Sequence, residues 1–339
     1  MRLLPIIFIA LFSVAIPVQA QNGMASAQPE IIDLPSNRVE VIGVLPGPGF
    51  WRVSKGDHHL WILGSVKPIP KKMQWETIKL ERKLLESQAL IAPPSVNLDA
   101  DVGFFSKIGM IPSLLKARKN PDGKTLQQIL PKEVYARWQV LKMKYIGNDK
   151  DVEYWRPIFA AQELYEQAVK KSGLENRNIA WPIAKDLAED ADLPIIRPEL
   201  KITIAEPKKF IKEFSQNALS DTACLEQTLN TIERDVQFMA QRGALWAEGK
   251  VSKLRQISFT NQSEACLEAM LGSGLAQKNG FGDIQQRTEK LWLQSAEQAL
   301  AKNVSSVAVI NMADLIKPDG YLAKLQALGY TVQEPIDNP

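Results

Sequence analysis

The side chains best placed to do chemistry in this 339-residue chain close two apolar runs, Leu60-Trp61-Ile62-Leu63-Gly64-Ser65-Val66-Lys67 and Val307-Ala308-Val309-Ile310-Asn311-Met312-Ala313-Asp314. Each run is long enough for one buried strand and stops on a small or polar turn before a charged residue. Loops at strand ends are held by a rigid sheet yet open to solvent, which is where α/β enzymes carry reactive groups. The groups offered here are the amine of Lys67 and the carboxylate of Asp314. A desolvated lysine can act as a base and a carboxylate as its acidic partner, so acid–base chemistry is what these two residue types offer.

Other reactive patterns are weak. His58 and His59, the only histidines, are adjacent on an expected strand, so they point to opposite faces and read as turn-proximal residues. No Gly-x-Ser-x-Gly elbow is present, and Gly280-Phe281-Gly282 is too short for a dinucleotide loop. Glu189-Asp190 and Asp192 read as a solvated helix end, and the sequon Asn303-Val304-Ser305 as chance. Eight tryptophans suggest sugar stacking, but Trp51, Trp61, Trp155 and Trp246 sit inside apolar patterns and are expected to anchor a core.

The elements that must position these groups follow from periodicity. Strands are expected over Phe50 to Val53 and Leu60 to Leu63, with Ser54-Lys55-Gly56-Asp57 as the turn between them. Helical patterns cover Gln74 to Ser87, Pro131 to Lys142, Arg156 to Lys171 and Ile183 to Ala191, with short strands at Ala89 to Ala92 and Leu193 to Ile196. Pro207 to about Leu271 is helical, with breaks expected at Gly243, Gly249 and Phe259-Thr260-Asn261. A helix over Gln285 to Lys302, a strand over Val304 to Ile310, a helix led by Pro318 and a strand from Tyr330 complete the chain. The expected fold class is mixed α/β: a central sheet built from N- and C-terminal strands around a large helical middle.

Residues 1–20 carry one charge, Arg2, an apolar stretch from Leu3 to Val18 and a Val18-Gln19-Ala20 cleavage signal, so a signal peptide cut after Ala20 is expected. A polar linker over residues 21–44 would then lead to a folded domain over 45–335, with a helical subdomain over about 207–271. The expected location is periplasmic or secreted, with no transmembrane span after cleavage. Lys plus Arg total 41 against 38 for Asp plus Glu, and the two signs are interspersed, which argues against a nucleic-acid partner. The two cysteines, Cys224 and Cys266, are expected to form a disulfide in an oxidising compartment. Two free thiols, or a redox pair, are the alternatives.

The hairpin from Phe50 to Pro70 resembles the opening of TraB/GumN proteins, where a tryptophan-led strand precedes Gly-Thr-x-His. Tyr154-Trp155-Arg156-Pro157, Ala244-Leu245-Trp246-Ala247-Glu248-Gly249-Lys250 and Pro318-Asp319-Gly320-Tyr321-Leu322 through Val332 resemble later family segments, in family order. The resemblance implies a metal-dependent hydrolase or protease, with two Gly-x-x-His histidines and acidic residues around the metal. Here the first histidine position is Lys67, after Gly64. The second is Asp314, and its leading glycine is Asn311. An acidic position falls near Pro93, another at Glu199, and a helical arginine at Arg287. An ammonium repels a cation rather than ligating it. The expectation is therefore a degenerate pocket of Gly64, Lys67, Glu199, Arg287, Asn311 and Asp314, with no metal or cofactor and a Lys67–Asp314 ion pair in the metal's place. A binding or regulatory role toward a protein or peptide of the cell envelope follows. The alternatives are a hydrolase with a site rearranged around Glu199, Asp314 and Lys67, and an interaction protein of an export or polysaccharide system.

Overall fold

The computed structural model describes residues 43–100, 112–113, 115–216, 221–257, 262–271 and 274–338. The expected signal peptide, most of the linker and the break at Phe259-Thr260-Asn261 lie outside the described residues.

Strands Val44–Leu45 (β1), Phe50–Lys55 (β2) and His58–Ser65 (β3) open the fold, and Gly56, at φ +65°, makes the tight turn of the β2–β3 hairpin. Ile69–Pro70 (β4), Gln74–Trp75 (β5), Leu90–Ile91 (β6), Ser95–Ala100 (β7) and Leu174–Glu175 (β8) follow. Ile195–Ile196 (β9), Glu199–Ile204 (β10), Ser305–Asn311 (β11) and Thr331–Gln333 (β12) complete the set. Six of these form a mixed sheet in the order β12-β2-β3-β11-β6-β9. The late strand β11 lies in its middle, parallel to β3 from Ser305 opposite His59 to Asn311 opposite Ser65. Covered on both faces, β11 is buried at every position but its last, which is why it reads as a continuous apolar run.

Alternation sends the side chains of β3 to two helical layers. His58, on one face, places Nδ1 2.7 Å from the Leu300 carbonyl of the helix Ile284–Lys302, whereas Trp61, on the other, lies under Lys83 of α1 (Ile78–Leu85). Trp51, Leu60, Ile62, Trp292, Ala296, Ala308 and Ile310 belong to one buried core, with Leu80 and Leu84 of α1. A second core joins Leu126, Trp138 and Leu164 to Cys224, Leu225 and Leu229, across α2 (Lys132–Tyr145), α3 (Pro157–Lys171) and the helix Thr222–Arg234. Within 207–271 the chain thus serves both cores, since Trp246, Ala247, Val251 and Leu254 pack with the sheet. The disulfide Cys224–Cys266 forms, tying Thr222–Arg234 to Gln262–Leu271.

Two local expectations change. Gln74 and Trp75 are a strand paired in parallel with Val44 and Leu45, not the start of α1. Gly243 lies inside the helix Val236–Glu248 and does not break it: a Cβ there would stand 2.6 Å from Pro70 Cδ, so the glycine serves close approach to β4. Gly249, at φ +71°, does end that helix. A further element escaped the sequence reading, the parallel ribbon of β7 and β10, which continues beyond the carboxyl ends of β6 and β9. Among the described residues no helix is long and apolar enough to cross a membrane.

Candidate functional site

Parallel pairing of β3 and β11 brings the two signature segments side by side, with Gly64 opposite Ile310 and Ser65 opposite Asn311. Both strands end here and both chains leave toward the same edge of the sheet. Ser65 is buried at this step, and its hydroxyl donates to the Ile310 carbonyl at 3.1 Å while accepting from Asn178 Nδ2 at 3.1 Å. Asn178 Oδ1 in turn accepts from the backbone N–H groups of Ala180 and Trp181, at 2.9 and 3.2 Å, starting the helix Ala180–Asp190. Asn311 does the same for Met312–Ile316, accepting from Ala313 N at 2.9 Å and Asp314 N at 3.4 Å. The strand thereby turns sharply into a helix with Asp314 in its first turn.

Behind the tips the backbone is held from two sides. The Trp246 indole N–H donates to the Gly64 carbonyl at 2.5 Å, and Trp246 meets Trp75 edge-on at 5.7 Å. Gly64 has no room for a side chain, because a Cβ would stand 2.6 Å from Met312 Cε and 3.3 Å from the Trp51 ring. Trp246, Asn178 and Ser65 were not picked out as site residues from sequence. The Trp-x-x-Gly segment signalled the first, and an Asn just before an apolar helix the second.

Lys67 is exposed, at the start of the loop into β4. The ion pairs described here include none between it and Asp314. Solvent removes the incentive: a flexible exposed ammonium gains little from pairing against its lost side-chain freedom. Asp314 neighbours Tyr321, a residue 7% exposed whose ring meets Trp292 edge-on at 4.7 Å. Burial first, then the carboxylates of Asp314 and Glu289, hold that phenol well above the usual tyrosine range. Glu289 itself pairs with Lys324.

The remaining positions stand apart. Glu199 begins β10 and accepts from Asn97 Nδ2 at 2.9 Å across the ribbon. Arg287 donates to the Gly280 carbonyl at 3.1 Å and pairs with Asp283 at 3.5 Å, and none of its described bonds reaches the strand tips. His59 meets Trp61 edge-on at 5.4 Å. Trp51, Trp155 and Trp246 are buried as expected, but Trp61 is only half-buried, a correction that follows from the open outer face of the hairpin.

This donor set does not suit a metal ion. Among the described residues no three His, Cys, Asp or Glu side chains come together. The Asn311 amide oxygen is committed to backbone N–H groups, and Lys67, two residues past β3, offers an ammonium and no lone pair. What the arrangement offers chemically is a hydrogen-bonded polar rim with a carboxylate and an exposed cation on it. The family model described as the TraB/PrgY/gumN family matches residues 49–334. No curated protein and no solved structure gives a significant match.

Proposed function

The chain belongs to the TraB/PrgY/gumN family, and from that premise we propose that it is an exported member whose strand-tip site binds or regulates instead of catalysing. The observation that carries this reading is Lys67, an exposed ammonium where the family resemblance expects a ligand histidine. The amide of Asn311 and the hydroxyl of Ser65 add to it, because they are occupied in holding backbone. The signal-like residues 1–20 and the Cys224–Cys266 bridge support residence in an oxidising cell-envelope compartment. The partner in this reading is a protein or peptide that meets the rim around Lys67 and Asp314. Elemental analysis of the purified chain, with melting curves in zinc, manganese and cobalt, tests the proposal. The expected result is no stoichiometric metal and no metal-dependent shift. A retained equivalent of metal would overturn it.

A further inference from the structure

Register places Arg52 opposite Trp61 and Ser54 opposite His59, so these four side chains share one face of the β2–β3 hairpin. Helix α1 covers only part of that face, and β12 beside it exposes Thr331 and Gln333. Trp61 remains half-buried, and Lys83 of α1 reaches back over it, with Nζ 3.0 Å from the ring centroid and 5.3 Å from that of Phe50. Arg52 approaches the same indole at 5.7 Å. One aromatic ring thus carries two cations.

Those cations are poorly compensated. Neither Arg52 nor Lys83 takes part in an ion pair among the described residues. Arg52 Nε and His59 Nδ1 are buried without a hydrogen-bond partner. Like charges crowded on a half-dry surface, with a guanidinium Nε left without an acceptor, raise the energy of the fold. A bound oxyanion lowers both costs, by neutralising the cations and accepting from the guanidinium.

We propose that this outer hairpin face is an anion-binding site, in which Arg52 and Lys83 hold a carboxylate or phosphate whose carrier lies against Trp61. The site is separate from the strand tips and does not depend on whether they bind metal. The groups facing Lys83 are Arg82 and Glu86 on its own helix, Arg52 and Phe50 on β2, and Trp61 on β3, which His59 meets edge-on. Burial, then Arg82, bring its amine down to about 8, with Glu86 opposing and Arg52 adding. Binding therefore weakens as pH rises through about 8, where the ammonium is lost.

Calorimetric titration of the full chain with inorganic phosphate, galacturonate and galactose tests the site. Both anions should saturate at neutral pH and neutral galactose should not. Tighter galacturonate binding identifies a ring-borne carboxylate resting on the indole; tighter phosphate binding identifies the bare oxyanion. Arg52→Gln and Lys83→Gln should each weaken anion binding by at least about tenfold. Lys83→Arg should keep it and abolish the loss near pH 8, which separates a charge effect from misfolding. Equal uptake of galactose, unchanged affinity in Arg52→Gln, or no saturation by either anion overturns the proposal.

Discussion

At Gly64 and Gly320 the chain leaves no space for a methyl group, yet the two obstacles differ in kind. A Cβ on Gly64 would meet the tip of Met312, a side chain that can swing away. A Cβ on Gly320 would stand 2.4 Å from the Asp314 carbonyl oxygen and 2.9 Å from that of Lys317, which are backbone atoms of the helix Met312–Ile316 and its C-cap. Gly64→Ala should therefore cost about 1–3 kcal/mol, as overpacking usually does, and Gly320→Ala more. Urea unfolding of the two variants checks the order, and a larger loss at Gly64 contradicts it. At this scale the sequence exposed the two strand-closing segments, which the register sets side by side. It could not expose the Ser65–Asn178 bond, because Asn178 reaches the tips only through the packing of its helix on the sheet. Nor could it say where the Lys67 side chain ends, since strand register fixes backbone neighbours and not the reach of long side chains.

Among elements, those with long periodic patterns were legible: the β2–β3 hairpin, β11, and the helices Pro157–Lys171 and Ile284–Lys302 all lie within a few residues of expectation. The two-residue strands were not, since β5 exists only because Gln74 and Trp75 pair with Val44 and Leu45, a tertiary event without local signal. For β7 and β10 a signal was present, apolar Val96 and Leu98 alternating as do Leu200, Ile202 and Ile204. The disulfide closes a separation of 42 residues between two helices. In the chain-entropy picture its loss costs about 4 kcal/mol. Denaturant midpoints measured with and without reductant should differ accordingly, with a Cys224→Ser, Cys266→Ser double variant behaving like the reduced protein. Coincident midpoints would show that the helical layer holds without the bridge.

Across the whole molecule, stability should vary with pH in opposite senses on either side of pH 10. Lys83 titrates at about 8 when folded but at 10.5 when its surroundings are removed. Between those values the unfolded chain binds the extra proton, so stability rises with pH. Burial pushes the Tyr165 phenol up to about 12, and Tyr321 is raised as well, so above the ordinary 10.0 the folded chain holds protons that the unfolded chain sheds. Stability then falls with further pH. Unfolding free energies measured against pH should rise above 8 and turn over above 10, and Lys83→Met should flatten the rising limb alone. A rise of equal slope in that variant would count against a half-dry amine.

The sheet order also governs what happens during synthesis. The ribosome releases β11 long after the β2–β3 hairpin and the β6–β9 pair, although its place is between them. Until Ser305–Asn311 emerges, a nascent chain carries two apolar seams, each cut for the same absent ribbon. Pausing upstream of that segment would invite neighbouring copies to zip together, and a holdase that shields both seams would raise the yield of native protein.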